Sequence, residues 1–545
     1  MLLQTAPTMA SASKTDLSPP PGRGKAWRRL AVALSLANLC HFRTWSELLT
    51  YKQIGAYLMK SNPTPVDFAA AMANVALLGG ALWLAATIAR CNSYGRALAR
   101  WGFLIILLVP LNALRTVAVN HFPFLRRYAL VSKFGELTVL VAAILLAALT
   151  LLALLRFHRQ SVRVASLVLL ILFPFLPLTF ARGAWRAMQY DPVPFADKPM
   201  APRLTVVNRN APRVFWFIGD EWDQRLTFID RLPDLLLPEL DRFRARAIYA
   251  SNAYPPAGQT ASSMPALIIG RLLAPVKSLG PAELLLPLPS PEQPVYWSKH
   301  PNIFSRARQA GFNTALVGFY HPYPRVLNAN LTACWSWPLP LQYNSMGTGF
   351  GEILANQSRS LLETDSRSPF GQALPVHEHV RIYLAGLERA KQLAADPDLG
   401  LILAHLPVPH APHAYDRRTG QFTLKNSPVA GYYDSLALLD RTLRDLRETM
   451  ERAGLWEKTT VLLSSDHWHR RANLLRGKID HRIPFLLKLA GQQEGITYHP
   501  PFNTVLSHDL LLAILRGELS SPDQVVAWLD QHRTIADSPF NHDEL

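Results

Sequence analysis

Residues 258–270 read GQTASSMPALIIG: small and hydroxyl-bearing residues pass through one proline into an apolar run that stops at glycine. Ser and Thr side chains accept hydrogen bonds from the free N–H groups that start a helix, and Gly suits its end, so Thr260 reads as the cap of a short helix. The position has a second reading. A helix N-terminus attracts anions through unpaired N–H groups and its positive dipole end, and a hydroxyl held there can attack one. Further polar groups stand where short apolar runs stop. RVFWFIGDE (213–221) closes on Asp220 and Glu221, FNTALVGFYH (312–321) on His321, LGLILAHLPVPH (399–410) on His410, and TTVLLSSDH (459–467) on Asp466 and His467. Singly, each has a structural reading: Asp220 as a helix cap, His410 as a surface residue, Asp466 as the start of a turn. As a set, carboxylates and imidazole are hard-to-borderline ligands that suit Zn²⁺ or Mn²⁺, and a hydroxyl beside such a cation loses its proton near neutral pH. Thr260 is the candidate for that hydroxyl.

These runs, with RIPFLLKL (482–489), alternate with amphipathic segments such as YDSLALLDRTLRDLRETMERAG. The alternation predicts an α/β domain with buried, mainly parallel strands and helices on both faces of the sheet. In such folds ligands bind outside the C-terminal ends of the strands, where the polar groups above fall. Leu436, Leu439, Leu443 and Leu446 recur at helical spacing and face the core. His469, Arg470 and Arg471 form either a phosphate contact or a solvated loop. Trp335 and Trp337 form either a lipid-interface contact or packed aromatics.

The chain has 545 residues, 49% hydrophobic, with its apolar residues concentrated in the first third. The stretches 66–89, 101–119, 137–155 and 162–181 are each long enough to cross a hydrocarbon layer roughly 30 Å thick. A fifth stretch, 30–49, carries His41, Arg43 and Glu47. The expectation is an N-terminal all-α transmembrane bundle of about five helices over 27–185. A disordered cytoplasmic tail precedes it (1–26), with no apolar core of a cleaved signal, and a proline-rich linker (186–204) leads to a domain over 205–545. Lys14, Arg23, Lys25, Arg28 and Arg29 set the N-terminus inside, so an odd number of spans sets everything after about residue 185 outside. The net charge of +17 suits anionic lipid surfaces or anionic substrates. The basic residues are dispersed without a binding motif, which argues against nucleic acid. Of three cysteines, Cys40, Cys91 and Cys334, one falls in the last domain, so that domain has no internal disulfide framework.

Over most of 205–490 the chain resembles the sulfatase branch of the alkaline phosphatase superfamily, in particular its membrane-anchored phosphoethanolamine and lipoteichoic acid transferases. FIGDE is similar to the first metal-binding strand of that family, which implies Asp220 as a ligand with Glu221 as a second. TASSMP is similar to the Thr-Ala-x-Ser-x-Pro segment of the phosphoethanolamine transferases, which implies Thr260 as the nucleophile, itself at the cation. AGFNTALVGFYH resembles the sulfatase stretch ending Gly-Lys-Trp-His and implies a substrate-binding role for His321. HLPVPHAPHAYD implies His410 as an anion-binding histidine, and SSDHW implies Asp466 and His467 as the second metal pair. RGKIDHRIPF is similar to a late segment carrying a substrate lysine, which implies Lys478, with His481 beside it. The cofactor implied is a divalent cation, zinc first, with manganese, magnesium and calcium as alternatives.

The chain also departs from the family pattern. Thr260 lacks the Cys/Ser-x-Pro-x-Arg context oxidised to formylglycine in true sulfatases, and Phe319 replaces a sulfate-binding lysine. Both departures point toward phosphorus esters. Trp468 stands where the transferases have glycine. The resemblance implies a membrane-anchored enzyme on the outer face of a bacterial-type inner membrane. It would transfer a phosphoethanolamine-like head group from a phospholipid, through a phospho-threonine, to a lipid or glycan. The alternatives are a phosphodiester or sulfate ester hydrolase, and an inactive membrane scaffold.

Overall fold

The computed structural model describes residues 23–533 apart from 55, 60–61, 123, 125–129, 131–132, 206–210, 339–348, 362–368, 425–426 and 428. Residues 1–22, most of the expected disordered tail, lie outside the described residues. The chain divides into two compact units. The first comprises Met1–Leu49, Pro65–Met188 and Gly349–Thr364; the second comprises Thr50–Thr64, Gln189–Thr348 and Asp365–Leu545.

The first unit is helical: α1 (Arg23–Cys40), α2 (Phe42–Ile54, whose last residues enter the second unit), α3 (Pro65–Ile88), α4 (Ser93–His121), α5 (Glu136–Ile171) and α6 (Phe175–Met188). Three stretches, Pro65–Cys91, Ser93–Val119 and Leu137–Ile171, are long and apolar enough to cross a membrane. The helix boundaries differ from the five expected stretches. Residues 30–49 are split between α1 and α2 at His41. No loop separates 137–155 from 162–181, because Arg, His and Gln between them are compatible with a helix. Instead α5 kinks at Phe157 (φ −118°, ψ 18°), and the chain turns only around Pro174 before α6. Inside this unit the helix Phe350–Arg359 meets α3 through polar groups. The Asn74 amide donates to the Leu354 carbonyl (3.0 Å) and to Gln357 (3.2 Å), and the Gln357 amide donates to the Asp67 carbonyl (3.0 Å).

The second unit is built on a nine-stranded sheet. Its strands are β1 (Arg213–Asp220), β2 (Ile248–Tyr254), β6 (Asn313–Tyr320), β7 (Ala333–Pro338), β8 (Leu399–Pro409), β11 (Thr459–Ser465), β12 (Ile483–Lys488), β13 (Ile496–Tyr498) and β14 (Phe502–Asn503). Small ladders apart from it use β3 (Lys277–Gly280), β4 (Glu283–Leu286) and β5 (Val295–Tyr296), and β9 (Tyr415–Asp416) with β10 (Gln421–Phe422). The order is β13-β2-β12-β11-β1-β8-β6-β7, with β14 beside β2. Every pair from β11 through β1, β8 and β6 to β7 is parallel. The run at 482–489, expected to be parallel, is β12, and it pairs antiparallel with both β11 and β2. Its apolar composition reports burial on both faces and not strand direction.

All eight residues of β1 are buried, and its side chains alternate between two cores. Val214, Trp216 and Ile218 join Met264, Leu267 and Ile268 of the helix Thr260–Ile269 on one face. Phe215 and Phe217 join Leu436, Leu439, Leu443 and Leu446 of the helix Gly431–Arg452 on the other. The parallel register sets Gly219 beside Ser465, so Asp220 and Asp466 leave adjacent strand ends at the same level.

Candidate active site

Asp220, Asp466 and His467 are buried, and one ligand atom from each lies within 4.8 Å of the others. His467 Nε2 is 3.7 Å from Asp220 Oδ1 and 3.6 Å from Asp466 Oδ2. The ring is oriented from behind, because Nδ1–H donates to the Trp468 carbonyl at 2.9 Å and leaves the Nε2 lone pair facing the carboxylates. Asp466 Oδ1 accepts from the amides of Glu221 (3.2 Å) and His467 (2.9 Å). Asp220 Oδ2 and Asp466 Oδ2 have no hydrogen-bond partner among the described residues. Burial, then the neighbouring Asp466 and Glu221 carboxylates, drives the Asp220 carboxyl well above the ordinary range. Two buried carboxylates with free oxygens beside an imidazole nitrogen fit a divalent cation, which would remove that repulsion.

Thr260 is the first residue of its helix, and Gln259, with extended backbone, occupies the N-cap without a side-chain cap bond. The side-chain capping role expected of Thr260 is therefore not made. Its hydroxyl instead lies 3.4 Å from Asp220 Oδ1 and 3.4 Å from His467 Nε2. Ser263, one turn on, donates to the Asp466 carbonyl and ties the helix to the β11 end. Gly258 admits Trp468: a Cβ there would lie 2.7 Å from the indole.

Glu221 follows β1 with φ 61°, and Tyr320 ends β6 with φ 74°. Among the described residues these are the non-glycine positions in the left-handed region, one directly after Asp220 and the other directly before His321. The Glu221 carboxylate is not among the three groups whose ligand atoms gather within 4.8 Å. It receives His469 Nδ1 at 3.2 Å and Arg470 Nε at 3.0 Å. Burial opposes its charge, but the His469 hydrogen bond and the nearby His410 and His467 outweigh it and hold Glu221 well below its usual pKa. His469 is itself buried, stacked on Tyr432 at 4.0 Å, so within 469–471 the second residue, Arg470, half-exposed, is the cation that faces the site. Glu221→Gln is expected to lower stability by about 1–3 kcal/mol, the cost of leaving buried partners unsatisfied. Its cation stoichiometry, read by inductively coupled plasma mass spectrometry, is expected to match wild type; loss of the ion would place Glu221 among the ligands.

His321 is 1% exposed, and both of its ring nitrogens are engaged within the fold. Nε2 meets the Thr260 carbonyl at 3.1 Å and Nδ1 meets the Tyr57 hydroxyl at 3.0 Å. The sequence expectation of substrate contact becomes, in the structure, contact with the backbone of Thr260. Burial pushes the His321 pKa down to about 3 and keeps the ring neutral. His410 is half-buried at the end of β8, with its ring 6.4 Å from Phe319. Lys478 is exposed, its carbonyl held by Arg225 at 2.9 Å. His481 packs on Trp468 with ring centroids 4.3 Å apart. Trp335 packs against the core beneath the sheet and lies 6.4 Å from Trp337, which favours the packed-aromatic reading for this pair.

One residue in this region carried no expectation. His405, in the apolar run of β8, is fully buried 6.2 Å from Phe319, and neither ring nitrogen has a hydrogen-bond partner among the described residues. A histidine inside an otherwise apolar strand was its only signal.

The sulfatase family model matches residues 212–516. No curated protein matches the chain. Solved structures to which it is similar include Ps i-CgsB, at 15% identity over 58% of this chain and 74% of that one, with a TM-score of 0.42. They also include the phosphonate monoester hydrolase of Agrobacterium radiobacter (13% identity, 56% and 73% covered, TM-score 0.36) and the lipoteichoic acid synthase LtaP from Listeria monocytogenes (12%, 57% and 75%, 0.35).

Proposed function

Since the chain belongs to the sulfatase family, we propose that it is a membrane-anchored, cation-dependent enzyme that moves a phosphorus-linked group through Thr260. The observation that carries this reading is the Thr260 hydroxyl, 3.4 Å from both Asp220 Oδ1 and His467 Nε2 at the first turn of a helix. Asp220, Asp466 and His467 would hold the cation, which supplies charge neutralisation for a deprotonated hydroxyl and for the anionic group under attack.

The protein's own residues account for the rest. The Thr260 oxygen attacks phosphorus, the P–O bond to the leaving alcohol breaks and that alcohol takes up a proton; the oxygen of an acceptor alcohol or of water then attacks the same phosphorus, the P–O bond to Thr260 breaks, and the threonine hydroxyl recovers its proton. His410, Arg470 and Lys478 are the candidates to offset charge on the transferring group. Phe319 is apolar and buried where a sulfate-binding lysine is expected, which supports phosphorus over sulfur esters. A full set of acid, imidazole and hydroxyl groups at one place favours an enzyme over a scaffold. Purified protein incubated with head-group-labelled phosphatidylethanolamine in mixed micelles is expected to release or transfer label. Turnover of para-nitrophenyl sulfate with no loss of phospholipid head group would overturn the phosphorus assignment.

Anchoring favours lipid substrates, because tethering raises the local concentration of membrane donors and acceptors. A reporter fused after Leu545 is expected to behave as exported and one near residue 95 as cytoplasmic; the reverse pattern would contradict access to the outer leaflet.

A further inference from the structure

The segment Thr50–Thr64 is flanked in sequence by α2 and α3, yet it is part of the second unit. Its central residue, Tyr57, is 3% exposed and joins the same hydrophobic core as Met264 and Leu267 of the Thr260 helix. Two further residues of the segment are held by hydrogen bonds. Arg325 donates to the Met59 carbonyl, and the Asn62 amide donates to the Asp191 carbonyl at 2.6 Å.

The directions of the hydrogen bonds around His321 follow from chemistry. The Thr260 carbonyl can only accept, so His321 Nε2 carries the proton at their 3.1 Å contact. A neutral ring then presents a lone pair at Nδ1, and the Tyr57 hydroxyl, 3.0 Å away, donates to it. The ring is walled by aromatic groups. Trp297, Tyr320, Tyr323 and Tyr57 have centroids 5.0, 5.1, 5.5 and 5.8 Å from it. Gly318 makes room for one wall, since a Cβ there would lie 2.3 Å from Tyr323. Packing therefore restrains the ring, and the Tyr57 donor selects the tautomer that can bond Thr260.

We infer that Tyr57 is a positioning residue for the nucleophile: through His321 it pins the Thr260 carbonyl, and with it the direction of the Thr260 hydroxyl toward Asp220 and His467. This rests on the assignment of Thr260 as nucleophile. It also means that a residue ahead of the family-matched region, on a segment whose two ends are supplied by helices, contributes to catalysis without touching substrate. A backbone carbonyl released from its donor lets the hydroxyl wander, and small misplacements of a reacting group are costly to the chemical step.

The test compares Tyr57→Phe, His321→Gln and the double variant in the full-length protein, with bis(para-nitrophenyl) phosphate as the phosphodiester probe and Thr260→Ala as control. Tyr57→Phe keeps the ring and its packing. It is expected to lower kcat about five- to twentyfold, with KM and bound cation unchanged, and to add no further loss in the His321→Gln background. A residue that served the fold alone would lower the melting temperature and leave kcat below that temperature untouched. Unchanged kcat in Tyr57→Phe beside an inactive Thr260→Ala, or losses that multiply in the double variant, would overturn the inference. An active Thr260→Ala enzyme would overturn the assignment beneath it, and this inference too.

Discussion

Thr260→Ala is expected to lower turnover on the order of 10⁴-fold while the protein folds and retains its cation, because the variant loses the hydroxyl that lies 3.4 Å from both Asp220 Oδ1 and His467 Nε2. The hydroxyl makes no cap bond, and Gln259 holds the N-cap, so the variant should lose little stability. Even a lost cap costs only about 1 kcal/mol, which for a domain of this size shifts the melting temperature by about 2–4 °C. Thr260→Ser keeps the oxygen and should retain measurable turnover. Steady-state kinetics on a phosphodiester, together with calorimetry, separates the outcomes: a drop in melting temperature with near-normal turnover would return Thr260 to a structural role.

The second large effect is expected from Asp466→Asn. Asp466 Oδ2 is a buried carboxylate oxygen with no hydrogen-bond partner among the described residues, facing His467 at 3.6 Å. An amide there keeps the shape and removes the charge that would hold a cation, so activity should fall on the order of 10³-fold together with metal content. The wild-type protein should gain melting temperature when Zn²⁺ or Mn²⁺ is added, since an ion that binds the folded state alone stabilises it. The variant should lose most of that gain. Without metal it should be no less stable than metal-free wild type, because one of two like charges has gone. Full occupancy and unchanged turnover in Asp466→Asn would contradict the site.

Much of this arrangement could be read from the amino acids, for a physical reason. Parallel strands covered on both faces must be apolar throughout, so the first polar residues after such a run mark the strand ends, where a site forms. The positions of Asp220, His321, His410, Asp466 and His467 at or just past strand ends were legible in that way. Strand direction was not, because burial on both faces produces the same apolar run in antiparallel β12 as in its parallel neighbours. Strand β2, IYASNAY, mixes small, polar and aromatic residues and carries no clean pattern. Glu221 and Asp220 are equivalent in sequence. What separates them is the φ of 61° at Glu221, which turns its carboxylate to His469 and Arg470. In the helical region, charge between apolar stretches suggested loops, whereas proline and a local kink set the boundaries. Tyr57 was beyond reach because its partner is 264 residues away, and a tyrosine between two helices has no local signature of the histidine it will meet.

The central claim is that Thr260 carries the transferred group. Protein mixed with phosphodiester, quenched in acid during turnover and digested should yield the peptide containing GQTASSMP with one added phospho-group on Thr260. The adduct should appear in wild type and Thr260→Ser, be absent from Thr260→Ala, and decay when acceptor is added after the donor is exhausted. Turnover in wild type with that peptide unmodified at every quench time, or an adduct on another residue that forms and decays at the rate of turnover, would contradict the account.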